Sequence, residues 1–177
     1  MSTFIALLRG INVSGKNKIP MADLRSHIES AGFEDVQTYV QSGNLLVSCK
    51  GGSVARVRDD VHRVIESEFG FDIPVIVRTA KQWRSVIAGN PYLAEGIDTK
   101  RLYVAFLDRK SKPTDAAKLD TIKLGPDGYS LAGSEIYLDL PSGAGRTKLT
   151  NATIEKKLGV VATTRNWRTV GQIDSML

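Results

Sequence analysis

Apolar positions in the first half of the chain follow two periods, which together predict a mixed α+β fold. Strand-like runs occupy residues 3–8, 36–41, 45–49 and 73–77. Helical spacing, with apolar residues three and four apart, occupies residues 20–31, 53–69 and 79–87. The resulting order, βαββαβ followed by a helix, is typical of the split-βαβ or ferredoxin-like arrangement.

The second half of the chain repeats this order. Strand patterns occupy residues 102–107, 128–131, 135–140 and 160–163, and helical patterns occupy 114–123, 151–158 and the segment from Trp167 onward. An ungapped match at an offset of 84 residues places "TAKQWRSV" (79–86) on "TTRNWRTV" (163–170). This similarity favours an internal duplication.

The predicted fold class is therefore α+β, with two tandem ferredoxin-like lobes at residues 1–90 and 102–177. Residues 91–101 are interpreted as the linker because they are rich in glycine, proline and polar residues. The strands at 4–8 and 102–107 are apolar at nearly every position, whereas a sheet with one face in water alternates. We therefore expect both faces of each sheet to be covered and the lobes to pack into one compact body.

Composition narrows the chemistry that the chain can support. The 177 residues are 42% hydrophobic and include one cysteine and two histidines, so intramolecular disulfides and thiolate metal clusters are excluded. No apolar run approaches the roughly 18 residues of a membrane span, and the first residues read as a strand rather than a signal peptide. We expect a cytoplasmic protein with no membrane partner, no metal and no cofactor. A formal charge of +5 permits anionic partners without requiring them.

The connection between the first strand and the first helix is unusually long and basic. It lies within "LLRGINVSGKNKIPM" (7–21), spans Arg9 to Ile19, and holds three cations and no acid. Connections of this kind usually need roughly two to six residues. The corresponding segment of the second half, "DRKSKP" (108–113), is about half as long and contains an acid. Closing the chain therefore does not explain the length of the first connection.

Topology predicts what this long loop meets. In a βαββαβ order the first and second strands run parallel, so the end of the first strand and the turn after the second share one edge of the sheet. We predict an anion-binding site there, next to a helix N-terminus. In this site cations neutralise the charge of the ligand and polar side chains orient it. Glycines allow the ligand to approach backbone N–H groups. Its predicted members are Arg9, Gly10, Asn12, Gly15, Lys16, Lys18, Gln41, Ser42 and Asn44. The alternative is a solvated loop in which Arg9 caps carbonyls or pairs with a carboxylate.

Two further basic segments are candidates for ligand contacts. The loop "PSGAGRTK" (141–148) contributes Arg146 and Lys148, but its glycine spacing does not match that of a phosphate-binding loop. A flexible strand-to-helix loop is the alternative, and topology places it at the opposite edge of its own lobe. In "TRNW" (164–167), Arg165 and Asn166 are expected at solvent-facing cap positions, whereas Trp167 is expected in the core.

These motifs carry a resemblance to a widespread bacterial family of unknown function. The similar segments are Ala6–Asn17 ("ALLRGINVSGKN"), Ser42–Asn44 ("SGN"), Thr147–Leu149 ("TKL") and Thr164–Val170 ("TRNWRTV"). The resemblance implies a duplicated ferredoxin-like α/β fold, and it brings no established activity and no catalytic residue. Ser14 and Thr147 stand where other members often have glycine and serine.

Three functions fit the sequence. The first is binding of a small phosphate- or carboxylate-bearing ligand at the 9–19 loop and the 41–44 turn; any reaction there would be phosphoryl or acyl transfer by electrostatic stabilisation. Whether a reaction is catalysed, and the oligomeric state, stay open. The second choice is nucleic-acid binding without sequence specificity, through the basic surface. The third is a structural or protein-interaction role, marked by a homo-oligomer with the motif loops in its interface.

Overall fold

Two four-stranded antiparallel sheets organise the chain, and the computed structural model describes all of residues 1–177. The sheets belong to two compact units, Met1–Ser85 together with Leu177, and Val86–Met176. The α+β class is confirmed. No helix combines the length and apolar character needed to cross a membrane.

The first unit is built in the order that the periodicity predicts. Its elements are β1 (Ser2–Leu8), α1 (Met21–Ser30), β2 (Glu34–Tyr39), β3 (Asn44–Cys49), α2 (Val54–Phe69), β4 (Val75–Thr79) and α3 (Ala80–Ala88), which continues into the second unit. The sheet order is β2-β3-β1-β4. The Ser53 hydroxyl accepts a hydrogen bond from the Arg56 N–H (3.2 Å) to begin α2, and Gly70, with a φ of 72°, ends it.

One face of the first sheet is covered by α1 and α2. The apolar stripe of α2, formed by Val57, Val61 and Ile65, packs in the same core as Phe4, Ala6 and Leu8 of β1. Successive strand residues point to opposite faces, so Ile5 and Leu7 belong to the other face, and they are also completely buried. Both faces of β1 are therefore shielded from water, as its continuous apolar sequence predicts.

The second unit has the same strand order. Its elements are α4 (Pro91–Ala94), a short 3₁₀ helix (Thr99–Arg101), β5 (Leu102–Leu107), α5 (Asp115–Leu119), β6 (Gly128–Ala132), β7 (Glu135–Asp139), α6 (Asn151–Leu158), β8 (Ala162–Asn166) and α7 (Trp167–Ser175). The sheet order is β6-β7-β5-β8. The segment 91–101, predicted as linker, contains two helical turns, and both lie within the second unit.

The last strand of this unit corrects the predicted register. The sequence pattern ended the strand at residue 163, but β8 runs from Ala162 to Asn166. Thr79 and Asn166 end their strands opposite Phe4 and Tyr103, and each caps the helix that follows. The equivalent positions are therefore 87 residues apart, and the ungapped match at 84 is displaced by three residues.

Candidate functional site

The long first loop and the β2–β3 turn meet at one edge of the first sheet. The Leu8 N–H donates to the Gly43 carbonyl (2.8 Å), and the Asn12 side-chain amide donates to the Gln41 carbonyl (2.9 Å). Gly43 is packed so closely that a Cβ there would lie 2.7 Å from the Leu8 Cβ and 2.9 Å from the Ile11 Cδ1. We call residues 9–19 and 40–44 together the loop–turn surface.

The loop is folded back on itself by asparagine side chains. The Asn12 amide also donates to the Ile19 carbonyl (3.0 Å), while its oxygen accepts from the Ile19 N–H (2.8 Å). Asn17 closes the loop from the other side by donating to the Gly10 carbonyl (2.9 Å). Ile11 and Ile19 anchor the two ends in the core, each only 1% exposed. The two ends of the loop are therefore held in a defined conformation, while residues 13–16 and Lys18 are exposed.

Backbone strain is concentrated on this surface. Five non-glycine residues in the chain have a positive φ, and four of them lie here: Asn12, Ser14, Asn17 and Val40. Val40, with a φ of 52°, is the most unfavourable because its β-branched side chain crowds the backbone in this region. Gly10 and Gly15, also at positive φ, have no neighbour within 4 Å of a Cβ position. Such strain often accompanies functional segments.

Charge on the loop–turn surface is carried by side chains in different environments. Lys16 and Lys18 are exposed, and neither forms an ion pair or a side-chain hydrogen bond. Arg9 is half-buried at the start of the loop, where its backbone N–H donates to the Pro74 carbonyl (3.0 Å). Gln41 and Ser42 are exposed on the turn. The exposed lysines thus belong to the loop and the exposed polar groups to the turn, and the two segments meet through Leu8 and Asn12.

Asn44 corrects one expectation about the site. Its side chain is completely buried, and its amide donates to the Tyr39 carbonyl (2.9 Å) and to the Ser42 Oγ (3.1 Å). With its donors used and no exposed surface, Asn44 holds the turn in shape and does not face a ligand. Asn12, which makes three hydrogen bonds inside the surface, has the same supporting role.

Arg146 and Lys148 belong to the second unit. Both are exposed on the loop after β7, and the Leu140 N–H at the start of that loop donates to the Arg101 carbonyl (2.9 Å), just before β5. The β6–β7 turn accepts a hydrogen bond at Gly133 from the Ser111 N–H (2.8 Å), just after β5. The 141–148 loop is therefore at the opposite sheet edge, as expected.

The segment before the last helix differs from its prediction. Arg165 was expected to face solvent, but it is only 8% exposed and donates to the Thr163 hydroxyl (2.8 Å) and the Thr164 carbonyl (3.0 Å). The reason is the longer β8, which places Arg165 inside the strand opposite Val104. Asn166 is exposed and accepts from the Thr169 N–H (2.8 Å) as the cap of α7. Trp167, expected in the core, is half-buried.

Other titratable groups are engaged in local contacts. His27 lies 3.2 Å from the Glu68 carboxylate and His62 lies 2.8 Å from that of Asp72. Burial raises the pKa of Tyr137 to about 12, with the Glu135 charge adding to the effect, and its hydroxyl donates to the Val86 carbonyl (2.8 Å). Sequence reasoning overlooked Val13 and Val40, which expose 56% and 48% of their surface on the loop–turn surface. Residue 40 was predicted inside a strand at 36–41, but β2 ends at Tyr39.

Comparison with known proteins places the chain in a family. Among solved structures, the conserved bacterial protein SP0830 from Streptococcus pneumoniae matches with a TM-score of 0.79 and 23% sequence identity, over 100% of this chain and 98% of that one. At this identity the likeness concerns the fold alone. No curated protein matches the chain. Residues 1–137 match the family model of proteins of unknown function DUF1697. Because this match covers well over half of the sequence, the chain belongs to the DUF1697 family.

Proposed function

We propose that the loop–turn surface binds a small anionic ligand that carries a phosphate or carboxylate group. The observation that carries the proposal is the pair of exposed lysines, Lys16 and Lys18, which have no anionic partner on a loop without acids. On α2, by contrast, the exposed Arg63 has a carboxylate, that of Asp60, at 2.9 Å. Two adjacent cations without one create a positive potential that attracts anions.

The order of the loop supports binding over mere solvation. A flexible loop would lose conformational entropy when it closes on a ligand, and that cost lowers affinity. Here Asn12 and Asn17 already fix the backbone through four side-chain hydrogen bonds. The loop backbone is therefore already ordered before a ligand binds, so binding loses little backbone conformational entropy. The lysine side chains extend from this ordered backbone.

Each group on the surface has a separate role in the proposed site. Lys16 and Lys18 neutralise the ligand's charge, Gln41 and Ser42 supply hydrogen bonds from the turn, and Arg9 adds positive charge at the start of the loop. Asn12 and Asn44 hold this arrangement without contacting the ligand. If a reaction occurs, these groups favour phosphoryl or acyl transfer by electrostatic stabilisation, since no histidine is a member.

The test is a binding measurement with paired lysine variants. A thermal-shift screen against nucleotides, sugar phosphates, coenzyme A and polyphosphate selects the probe, and calorimetry then compares the wild type with Lys16→Ala/Lys18→Ala. We expect affinity to fall at least about tenfold, since each charged hydrogen bond contributes roughly 1.5–3 kcal/mol. The melting temperature should stay unchanged because neither ammonium group has a partner in the chain.

A matched control removes the same charge at the other end of the sheet. Lys50 and Lys81 are exposed and follow β3 and β4 at the edge where β1 begins. The variant Lys50→Ala/Lys81→Ala should bind like the wild type. Equal losses of affinity in both variants would show that only the net charge of the protein matters. Unchanged affinity in Lys16→Ala/Lys18→Ala would contradict the proposed site.

We infer further that the two units arose by duplication of one ferredoxin-like ancestor. Their sheets have the same strand order, and Thr79 and Asn166 occupy equivalent cap positions. The preceding residues, Arg78 and Arg165, are both buried arginines whose Nη1 donates to the carbonyl of the residue before it, at 3.0 Å in each case. A shared detail of this kind supports common ancestry better than the short sequence match does.

A further inference from the structure

A second basic surface lies in the second unit, around a cavity of about 350 Å³. Two loops form it, residues 123–127 before β6 and residues 142–148 after β7. Because β6 and β7 pair with Gly128 opposite Asp139, both loops lie at the same edge of the sheet. A cavity of this volume falls in the range of small-molecule sites, roughly 300–1,000 Å³.

Three cationic side chains line this cavity without a partner. Lys123, Arg146 and Lys148 are all exposed, and none forms an ion pair or a side-chain hydrogen bond. Two other cations of the same unit are neutralised: Lys118 lies 2.9 Å from Asp115, and Arg101 lies 2.6 Å from Asp139. Lys123, Arg146 and Lys148 thus differ from these two cations, whose charges are paired.

The cavity also contains groups of other kinds. Asp127 is half-buried, and only its backbone is engaged, through donation to the Leu124 carbonyl (3.3 Å). Its carboxylate is an open acceptor that suits hydroxyl or amine donors. Ser142 adds a neutral hydroxyl, and Leu124 and Pro126 supply apolar surface. The lining therefore combines three cations with a carboxylate acceptor, a hydroxyl group and apolar surface.

We propose that this cavity binds a phosphorylated compound with hydroxyl groups, of the sugar phosphate or nucleotide class. The phosphate lies against Arg146, Lys148 and Lys123, where a guanidinium gives paired hydrogen bonds to phosphate oxygens. The hydroxyl groups donate to Asp127, which would repel an inorganic phosphate alone. This site is separate in sequence and in residues from the loop–turn surface, and it does not depend on the function proposed there.

The first experiment measures binding of ribose 5-phosphate and inorganic pyrophosphate to the full chain by calorimetry. Arg146→Ala/Lys148→Ala should weaken both at least about tenfold, because it removes two charged hydrogen-bond donors. The control, Lys110→Ala/Lys156→Ala, removes the same charge from exposed residues of the same unit that do not line the cavity. Its affinities should stay within about twofold of the wild type.

The second experiment uses Asp127 to identify the ligand class. Asp127→Ala should weaken ribose 5-phosphate about fivefold through loss of a hydroxyl acceptor, and it should strengthen pyrophosphate about twofold by removing a like charge. Opposite changes for the two probes are the signature of the proposed arrangement.

Four results would overturn the proposal. The first three are an absence of heat with either probe, equal losses in the Arg146/Lys148 variant and its control, and changes of the same sign for both probes in Asp127→Ala. Loss of binding in Lys16→Ala/Lys18→Ala with full binding in the Arg146/Lys148 variant would assign the probes to the other surface, and it would equally contradict this site. Melting temperatures check that every variant is folded.

Discussion

At the scale of single residues, Asn12 determines the shape of the loop–turn surface. Its side chain joins the loop to the turn through Gln41 and closes the loop on itself through Ile19. Its φ of 52° is one that asparagine tolerates better than most residues do. From its residue type, Asn12 was predicted to orient a ligand. The sequence does not show that the side-chain amide of Asn12 is already hydrogen-bonded within the protein.

Replacing Asn12 separates its two contributions. Asn12→Gly keeps the positive φ accessible and loses three hydrogen bonds, so we expect it to lower the free energy of unfolding by about 2 kcal/mol. Asn12→Ala adds the backbone penalty and should cost about 1 kcal/mol more. Urea unfolding measures both. A glycine variant that unfolds at the wild-type urea concentration would show that the amide does not hold the loop.

Asp115 gives a prediction about pH. Its carboxylate accepts from the Lys112 N–H (2.7 Å) and pairs with Lys118 (2.9 Å), and these contacts hold its pKa below the ordinary value of 3.8. A group whose pKa is lowered by folding stabilises the native state above its unfolded pKa and loses that contribution as the pH falls through the folded value. Asp115→Asn should therefore melt below the wild type at pH 7, with the gap narrowing as the pH falls below 3.8. A difference in melting temperature that stays constant from pH 7 to pH 2.5 would contradict this prediction. Asp98→Asn, at an exposed position, is the control.

At the scale of elements, the two units show how one arrangement accommodates different loops. Antiparallel pairing was enough to predict that the 9–19 loop meets the β2–β3 turn, because strand order alone fixes which ends share an edge. The end of β8 was not predictable in the same way. The sequence pattern ended the strand at residue 163 and placed Arg165 with Asn166 at solvent-facing cap positions, although only Asn166 caps the helix. Pairing with β5 decides the choice by extending the strand through Arg165.

The tight contact at Gly43 gives a prediction at this scale. Gly43→Ala must adopt a φ of 84° and place its Cβ 2.7 Å from the Leu8 Cβ and 2.9 Å from Ile11. We expect a loss of about 2–4 kcal/mol in the free energy of unfolding. Gly133, in the corresponding turn of the second unit, has a φ of 63° and no neighbour within 4 Å, so Gly133→Ala should cost only about 1–2 kcal/mol. Equal losses in the free energy of unfolding for the two variants would mean that close packing of Leu8 and Ile11 against Gly43 adds no cost.

At the scale of the whole molecule, charge limits the partners that the protein can hold. A formal charge of +5 over 177 residues is modest, and exposed lysines without an ion pair also occur outside the two candidate surfaces, as at Lys50 and Lys110. When duplex DNA binding depends on such charge, the logarithm of the binding constant falls linearly with the logarithm of the salt concentration. The slope is about 0.9 per phosphate neutralised. We expect a duplex of about 20 base pairs to show no binding by fluorescence anisotropy at about 150 mM salt. Strong binding retained there would favour the nucleic-acid function over the small anionic ligand.

The most direct test of the central claim is a site-resolved titration of the loop–turn surface. Backbone amide resonances of the full chain are followed by NMR while inorganic pyrophosphate, and separately citrate, is added. The account predicts saturable shifts at residues 10–18 and 41–43 with at least one of the two anions, and their loss in Lys16→Ala/Lys18→Ala but not in Lys50→Ala/Lys81→Ala. Unmoved resonances at 10–18 with both anions, or shifts that persist in the Lys16/Lys18 variant, would contradict it.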